Sequence, residues 1–185
     1  MQILAFAASN SRQSINKQLV THAATVLTSE VAPDATVDII DLNDFEMPIY
    51  SADREAEGGI PDLARDFRAH IAKADALMIS FAEHNGTYSA AFKNIFDWAS
   101  RLEGKVWSDK PMLCLATSPG GRGGLSVLTQ AESQAPRLGA ILKASLSVPS
   151  FYETFDSATG TLTDPDLQAQ LRDALAALIA GDPTP

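Results

Sequence analysis

A single cysteine, Cys114, stands in the 185 residues. That scarcity excludes an internal disulfide and any multi-cysteine metal site, and it fits a reducing cytoplasm. The apolar neighbours of Cys114, Met112 to Leu115, mark it as a small core residue. Positive charge is the second shortage, with 14 Lys and Arg against 23 Asp and Glu and a formal net charge of −9. A field of that sign disfavours nucleic acid and anionic membrane as partners. It also means that a bound phosphate needs local compensation. Long apolar runs are missing too, since none approaches the roughly 18 residues that span a bilayer. The opening MQILAFAAS is apolar but has no basic n-region, so it reads as a buried strand rather than a signal peptide. There is no internal repeat, low-complexity tract or linker-like shift. No G-x-x-x-x-G-K-[ST] occurs and no G-x-G-x-x-G follows the first strand, which removes the main support for a P-loop NTPase or a Rossmann dehydrogenase.

What is present is an ordinary globular balance, 45% hydrophobic and 20% charged, in a chain long enough for one sizeable core. The reading is a single domain over residues 1–185. Apolar runs of strand length lie at Ile3–Ala7, Thr36–Ile40, Ala76–Phe81, Met112–Ala116 and about Ala144–Val148. Helical periodicity fills the intervals. Leu19, Val20, Ala23, Val26 and Leu27 share a face after a Ser14 cap, and Leu63, Phe67 and Ile71 do so after Pro61. Phe92, Ile95, Phe96, Ala99 and Leu102 give the clearest stripe. A fourth helix runs from Leu125 to about Ala135. The last begins at Asp164-Pro165, carries Leu167, Leu171, Leu175, Leu178 and Ile179, and stops at Gly181 and Pro183. Five strands alternating with five helices predict an α/β fold: a doubly wound, five-stranded parallel sheet in a three-layer αβα sandwich. Right-handed crossovers favour the flavodoxin-like strand order 2-1-3-4-5, whose switch point lies between the first and third strands.

Three glycine- and hydroxyl-bearing loops each follow an apolar run and precede a helix. The first, Ser9 to Asn16, offers Ser9, Ser11, Ser14 and Asn16 as neutral donors and Arg12 as a charged one. The backbone N–H groups at the start of the first helix, around Ile15, suit a phosphate. The second, Glu83-His84-Asn85-Gly86-Thr87, allows a tight turn at Gly86 with its backbone close to a flat ring. Adjacent Glu83 and His84 do not converge on one metal, so no metal is expected. The third, Ser118-Pro119-Gly120-Gly121-Arg122-Gly123-Gly124, spends four glycines in five positions, which points to special dihedrals or close approach to a ligand. The long polar stretch Asp44–Gly59, with Pro48 and two glycines, reads either as a lid that walls the pocket or as plain surface loop. One ligand gripped at three neighbouring strand ends is nucleotide-sized, and flavin mononucleotide (FMN) satisfies all three loops.

These residues resemble the NAD(P)H-dependent FMN reductases of the flavodoxin-like superfamily, which includes azo-dye, quinone and chromate reductases. The first loop is similar to that family's G-S-x-x-x-x-S-x-N, with Ser9, Ser14 and Asn16 in register. Glu83 to Trp98 resembles P-E-Y-N-G-x-x-x-x-x-x-K-N-x-x-D-W, and Thr117 to Gly124 resembles T-S-P-G-G-x-G-G. Ala8 replaces a glycine, Ala82 a proline and His84 a tyrosine, and Arg12 falls one place later than the family's arginine. The resemblance implies noncovalent FMN with its phosphate on Ser9–Asn16 and its ring between the second and third loops. It implies NAD(P)H as co-substrate, a quinone, azo compound, free flavin or similar small-molecule acceptor, and a homodimer or homotetramer. No obligatory catalytic side chain is expected, because the cofactor carries the chemistry. A flavodoxin-like electron carrier or flavin-binding sensor is the alternative reading.

Overall fold

Segments that are apolar at nearly every position, rather than every second one, build the centre of the molecule. In the computed structural model, which describes residues 1–180, β1 (Gln2–Ala8), β3 (Ala76–His84) and β5 (Lys110–Thr117) are buried on both faces over most of their length. That is the pattern of central strands in a parallel sheet. The edges are β2 (Thr36–Ile39) and β6 (Ala140–Val148). The strands run in the order β2-β1-β3-β5-β6, and each of these pairings is parallel. Counting only these five, the order is the expected 2-1-3-4-5.

Alternation along the strands divides the core. Leu4, Phe6, Leu77 and Ile79 meet the apolar stripes of α3 (Asp62–Lys73), α4 (Ala90–Ala99) and α5 (Leu125–Gln134). Ile3, Ala5, Met78 and Leu113 meet α1 (Ile15–Val26) and α7 (Pro165–Ile179) on the other face. Each large side chain so buried contributes about 1.5–3 kcal/mol relative to exposure. Cys114 is buried among them, and burial pushes its thiol up to about 12. Asp164 caps α7 by accepting from the N–H groups of Asp166 and Leu167, with Pro165 in the first turn, as its sequence predicts. The expected stop at Gly181 and Pro183 lies outside the described residues.

Several elements differ from the sequence expectation. The chain past Phe81 is not a loop: β3 continues to His84 and pairs antiparallel with β4 (Thr87–Tyr88) around Asn85 and Gly86, at φ 53° and 79°. Positive φ at both central residues is the two-residue hairpin turn that Asn-Gly favours. The stretch Asp44–Gly59 contains part of a 3-10 turn at Leu42–Phe45 and a Ser51-capped α2 (Ala52–Gly58). Leu102 falls beyond α4, which ends where the Arg68 guanidinium donates to the carbonyls of Ala99, Glu103 and Lys105. A short α6 (Phe151–Thr154) and a small hairpin, β7 (Phe155–Asp156) with β8 (Thr161–Leu162), precede α7. Two-residue strands are too short for periodicity to reveal.

Candidate functional site

The loop after β1 is shaped by its own hydroxyls. Ser9 Oγ accepts from the Ser11 N–H at 3.2 Å, and the Ser14 N–H donates to the Ser11 carbonyl at 3.2 Å. Ser14 caps α1, its Oγ accepting from the Lys17 N–H at 3.2 Å. A helix leaves its first N–H groups without intrahelical partners. With those of Ser14 and Lys17 satisfied, the N–H groups of Ile15 and Asn16 have no partner among the described residues and lie at the positive end of the helix dipole. Both residues line a cleft of about 240 Å³ at the carboxyl ends of the central strands.

Asn16 ties that cleft together. Its side chain is 3% exposed, Nδ2 donates to the Thr117 carbonyl at 3.2 Å, and Oδ1 accepts from the Thr117 N–H at 3.1 Å and Ser80 Oγ at 2.7 Å. One carboxamide thus joins α1 to β3 and β5. Thr117 Oγ1 in turn donates to the Val148 carbonyl at 2.7 Å, extending the link to β6.

Of the sequence-predicted residues, Ser9, Ser11, Ser14, Ile15, Asn16, Glu83, His84, Ser118 and Pro119 share this cleft. Arg12 is exposed outside its lining, and Asn85 and Gly86 form the hairpin tip. Thr87 Oγ1 donates to Gln130 Oε1 at 2.8 Å, and Arg122 Nη2 donates to Ser126 Oγ at 3.3 Å, both turned toward α5. Glu83 also reaches α5. Its carboxylate accepts from the Val127 N–H at 3.1 Å, at the start of a helix whose N-cap, Gly124, has no side chain. A negative group at that end also suits the helix dipole.

The four glycines of the third loop separate into two kinds. A Cβ on Gly123 (φ +57°) would lie 2.3 Å from Ser147 Oγ and 2.8 Å from the Pro149 nitrogen. Gly124 (φ +75°) packs on Ala116. These two are required by the fold. Gly120 and Gly121 have ordinary φ and nothing within 4 Å of a built Cβ. Nothing among the described residues demands glycine there, and neither residue belongs to the lining of the cleft.

Gln13, Ala82 and Thr117 lie within the stretches read from the sequence but are not among its candidate ligands, and Tyr152 lies outside all three loops; all four also line the cleft. Tyr152 follows the carboxyl end of β6, so the strand-end rule applied to the other loops extends to it. The second half of the Lys93–Trp98 motif proves structural. Asn94 accepts from the Tyr50 N–H and donates to the Met47 carbonyl, and Trp98 Nε1 donates to the Pro48 carbonyl at 2.7 Å. Together they hold residues 47–50 on α4. Among the described residues there is no group of three His, Cys, Asp or Glu able to hold a metal, and no helix long and apolar enough to cross a membrane.

This strand order, with a hydroxyl-lined cleft beside the point where the first and third strands meet, defines the flavodoxin-like class of α/β proteins. Within that class, the family model for NADPH-dependent FMN reductase matches residues 1–152, and the chain belongs to this family. An NADPH:quinone oxidoreductase of Arabidopsis thaliana is 30% identical over 188 residues, covering 97% of this chain and 91% of the relative. A 2-hydroxy-1,4-benzoquinone reductase of Burkholderia sp is 32% identical over 177 residues, covering 93% and 91%. The fold is shared with a flavoenzyme NAD(P)H:(acceptor) oxidoreductase from Paracoccus denitrificans, at a TM-score of 0.73 and 22% identity over 96% of this chain and 94% of the other. The protein is an FMN-dependent NAD(P)H oxidoreductase.

Proposed function

We propose that this enzyme reduces quinones with NAD(P)H, holding FMN by its phosphate in the Ser9–Asn16 cleft. The observation that carries the cofactor's placement is the pair of N–H groups at Ile15 and Asn16, without partners among the described residues, in a cleft also lined by Ser9, Ser11 and Ser14. These groups match a phosphate's acceptor oxygens. The cleft's lining contains no Lys or Arg, so neutral donors and the helix dipole do the binding. The open backbone at Gly120 and Gly121, with the hairpin at His84 to Gly86, supports a flat ring laid between the second and third loops.

FMN held there would supply the hydride- and electron-transfer chemistry between NAD(P)H and the acceptor. The chain's own residues place and orient it. Asn16 fixes the phosphate loop against β3 and β5, and Glu83 fixes α5 behind the third loop. No side chain is assigned a catalytic role. The quinone assignment draws on the Arabidopsis and Burkholderia relatives. We read residues 1–185 as one FMN-binding domain that works in the cytoplasm as a homodimer or homotetramer, which light scattering tests.

The purified protein is mixed with FMN, desalted and then given NADH or NADPH without oxygen. Retained flavin colour, bleached by either nucleotide and restored by a benzoquinone, is the expected result. Flavin that stays bound but is bleached by neither nucleotide points instead to an electron carrier or sensor. Loss of all flavin on desalting removes the cleft assignment.

A further inference from the structure

We propose that Tyr152 closes the phosphate end of the cleft and makes the protein prefer FMN over flavins that lack the phosphate. The inference rests on the placement of FMN under Proposed function. Tyr152 is 70% exposed, yet the backbone that carries it is firmly held. On one side Phe151 is fully buried and stacks on Phe155 with ring centroids 4.6 Å apart. On the other, Ser150 adopts the left-handed region (φ 47°, ψ 53°), a strained state for a residue with a Cβ. Two backbone bonds hold that turn to the third loop: the Ser150 N–H to the Gly120 carbonyl at 3.0 Å and the Phe151 N–H to the Ser118 carbonyl at 3.1 Å. The ring is therefore displayed from a fixed mount.

Its position suits it to the cofactor. Tyr152 lines the same cleft as Ser9, Ser11, Gln13 and Ser14, and the only other aromatic ring there is the imidazole of His84. Its hydroxyl has no hydrogen-bond partner among the described residues. The ring's apolar face suits the carbon chain of a flavin's ribityl arm, and the phenolic O–H is a donor for a phosphate oxygen. With no Lys or Arg in the lining and −9 on the whole molecule, a further neutral donor at the phosphate carries weight. A hydrogen bond to a charged group is strong enough to change affinity about ten-fold.

The test titrates FMN and riboflavin into the full-length apoprotein by flavin fluorescence, for wild type, Tyr152→Phe and Tyr152→Ala. Thermal midpoints check that the exposed substitutions leave the fold intact. We expect Tyr152→Phe to raise the Kd for FMN about ten-fold and leave that for riboflavin unchanged. Tyr152→Ala, which also removes the ring, should weaken both. An FMN Kd in Tyr152→Phe within about two-fold of wild type, or equal losses for the two flavins, overturns the inference while FMN binding stands. Failure of the wild type itself to bind FMN removes the cleft assignment, and the inference with it.

Discussion

Asn16 sits within a phosphate-loop sequence, yet most of its side chain's hydrogen-bonding capacity is directed at the protein. Replacing it with alanine strands the Ser80 hydroxyl and both backbone groups of Thr117 in a buried place. Asn16→Ala is expected to cost about 2–3 kcal/mol in urea unfolding, as buried groups lose their partners. The third loop offers a contrast within one glycine run. Gly123→Ala forces a Cβ against Ser147 and Pro149 at positive φ, and should destabilise by roughly 1–3 kcal/mol. Gly121→Ala meets nothing in the protein, so its melting midpoint should match wild type while its FMN affinity drops. Equal melting midpoints for the two variants would refute this division of the glycines.

At the scale of elements, the β7–β8 hairpin is held against α1 by His22. The His22 Nε2 accepts from the Leu162 N–H at 3.4 Å, and its ring meets Phe155 edge-on at 5.8 Å. Burial lowers the His22 pKa from its ordinary 6.5, outweighing the opposite pull of Glu30, which Arg172 pairs at 3.4 Å. The unfolded chain then binds the proton more readily than the folded one, so stability falls as pH drops below about 6.5. His22→Gln keeps an acceptor for Leu162 without a titrating ring. Melting from about pH 7.5 to 5 should show a shallower decline in this variant than in wild type.

The five parallel strands and the first loop are legible in the sequence because they rest on strong patterns: continuous apolar runs, a Ser cap and right-handed crossovers. The hairpin at Glu83–Tyr88 is harder to read, although Asn-Gly is a hairpin signal, because the paired segments are two residues each and one ends a long strand. The contact between Glu83 and α5 is invisible to sequence, since Val127 lies 44 positions away and only the β3–α5 packing brings them together. Tyr152 escapes for a related reason. It belongs to a strand end that carries no glycine-rich loop signature.

The whole molecule carries a charge opposed to its own reactants. With −9 net and no Lys or Arg in the cleft, an anionic nicotinamide nucleotide approaches against the field. Screening removes that opposition beyond about 8–10 Å at roughly 0.1–0.15 M salt. The KM for NADPH is therefore expected to fall as salt rises from about 10 to 150 mM, with kcat unchanged. A KM that rises instead would show that local cations, such as Arg12 and Arg122 in the first and third loops, outweigh the global field.

The turn at Asn85-Gly86 is made by backbone dihedrals alone, and the exposed His84 beside it has no side-chain partner among the described residues. Folding places almost no demand on which side chain occupies position 84. Every residue type is therefore expected to be tolerated at position 84 in a randomised library with little change in melting midpoint.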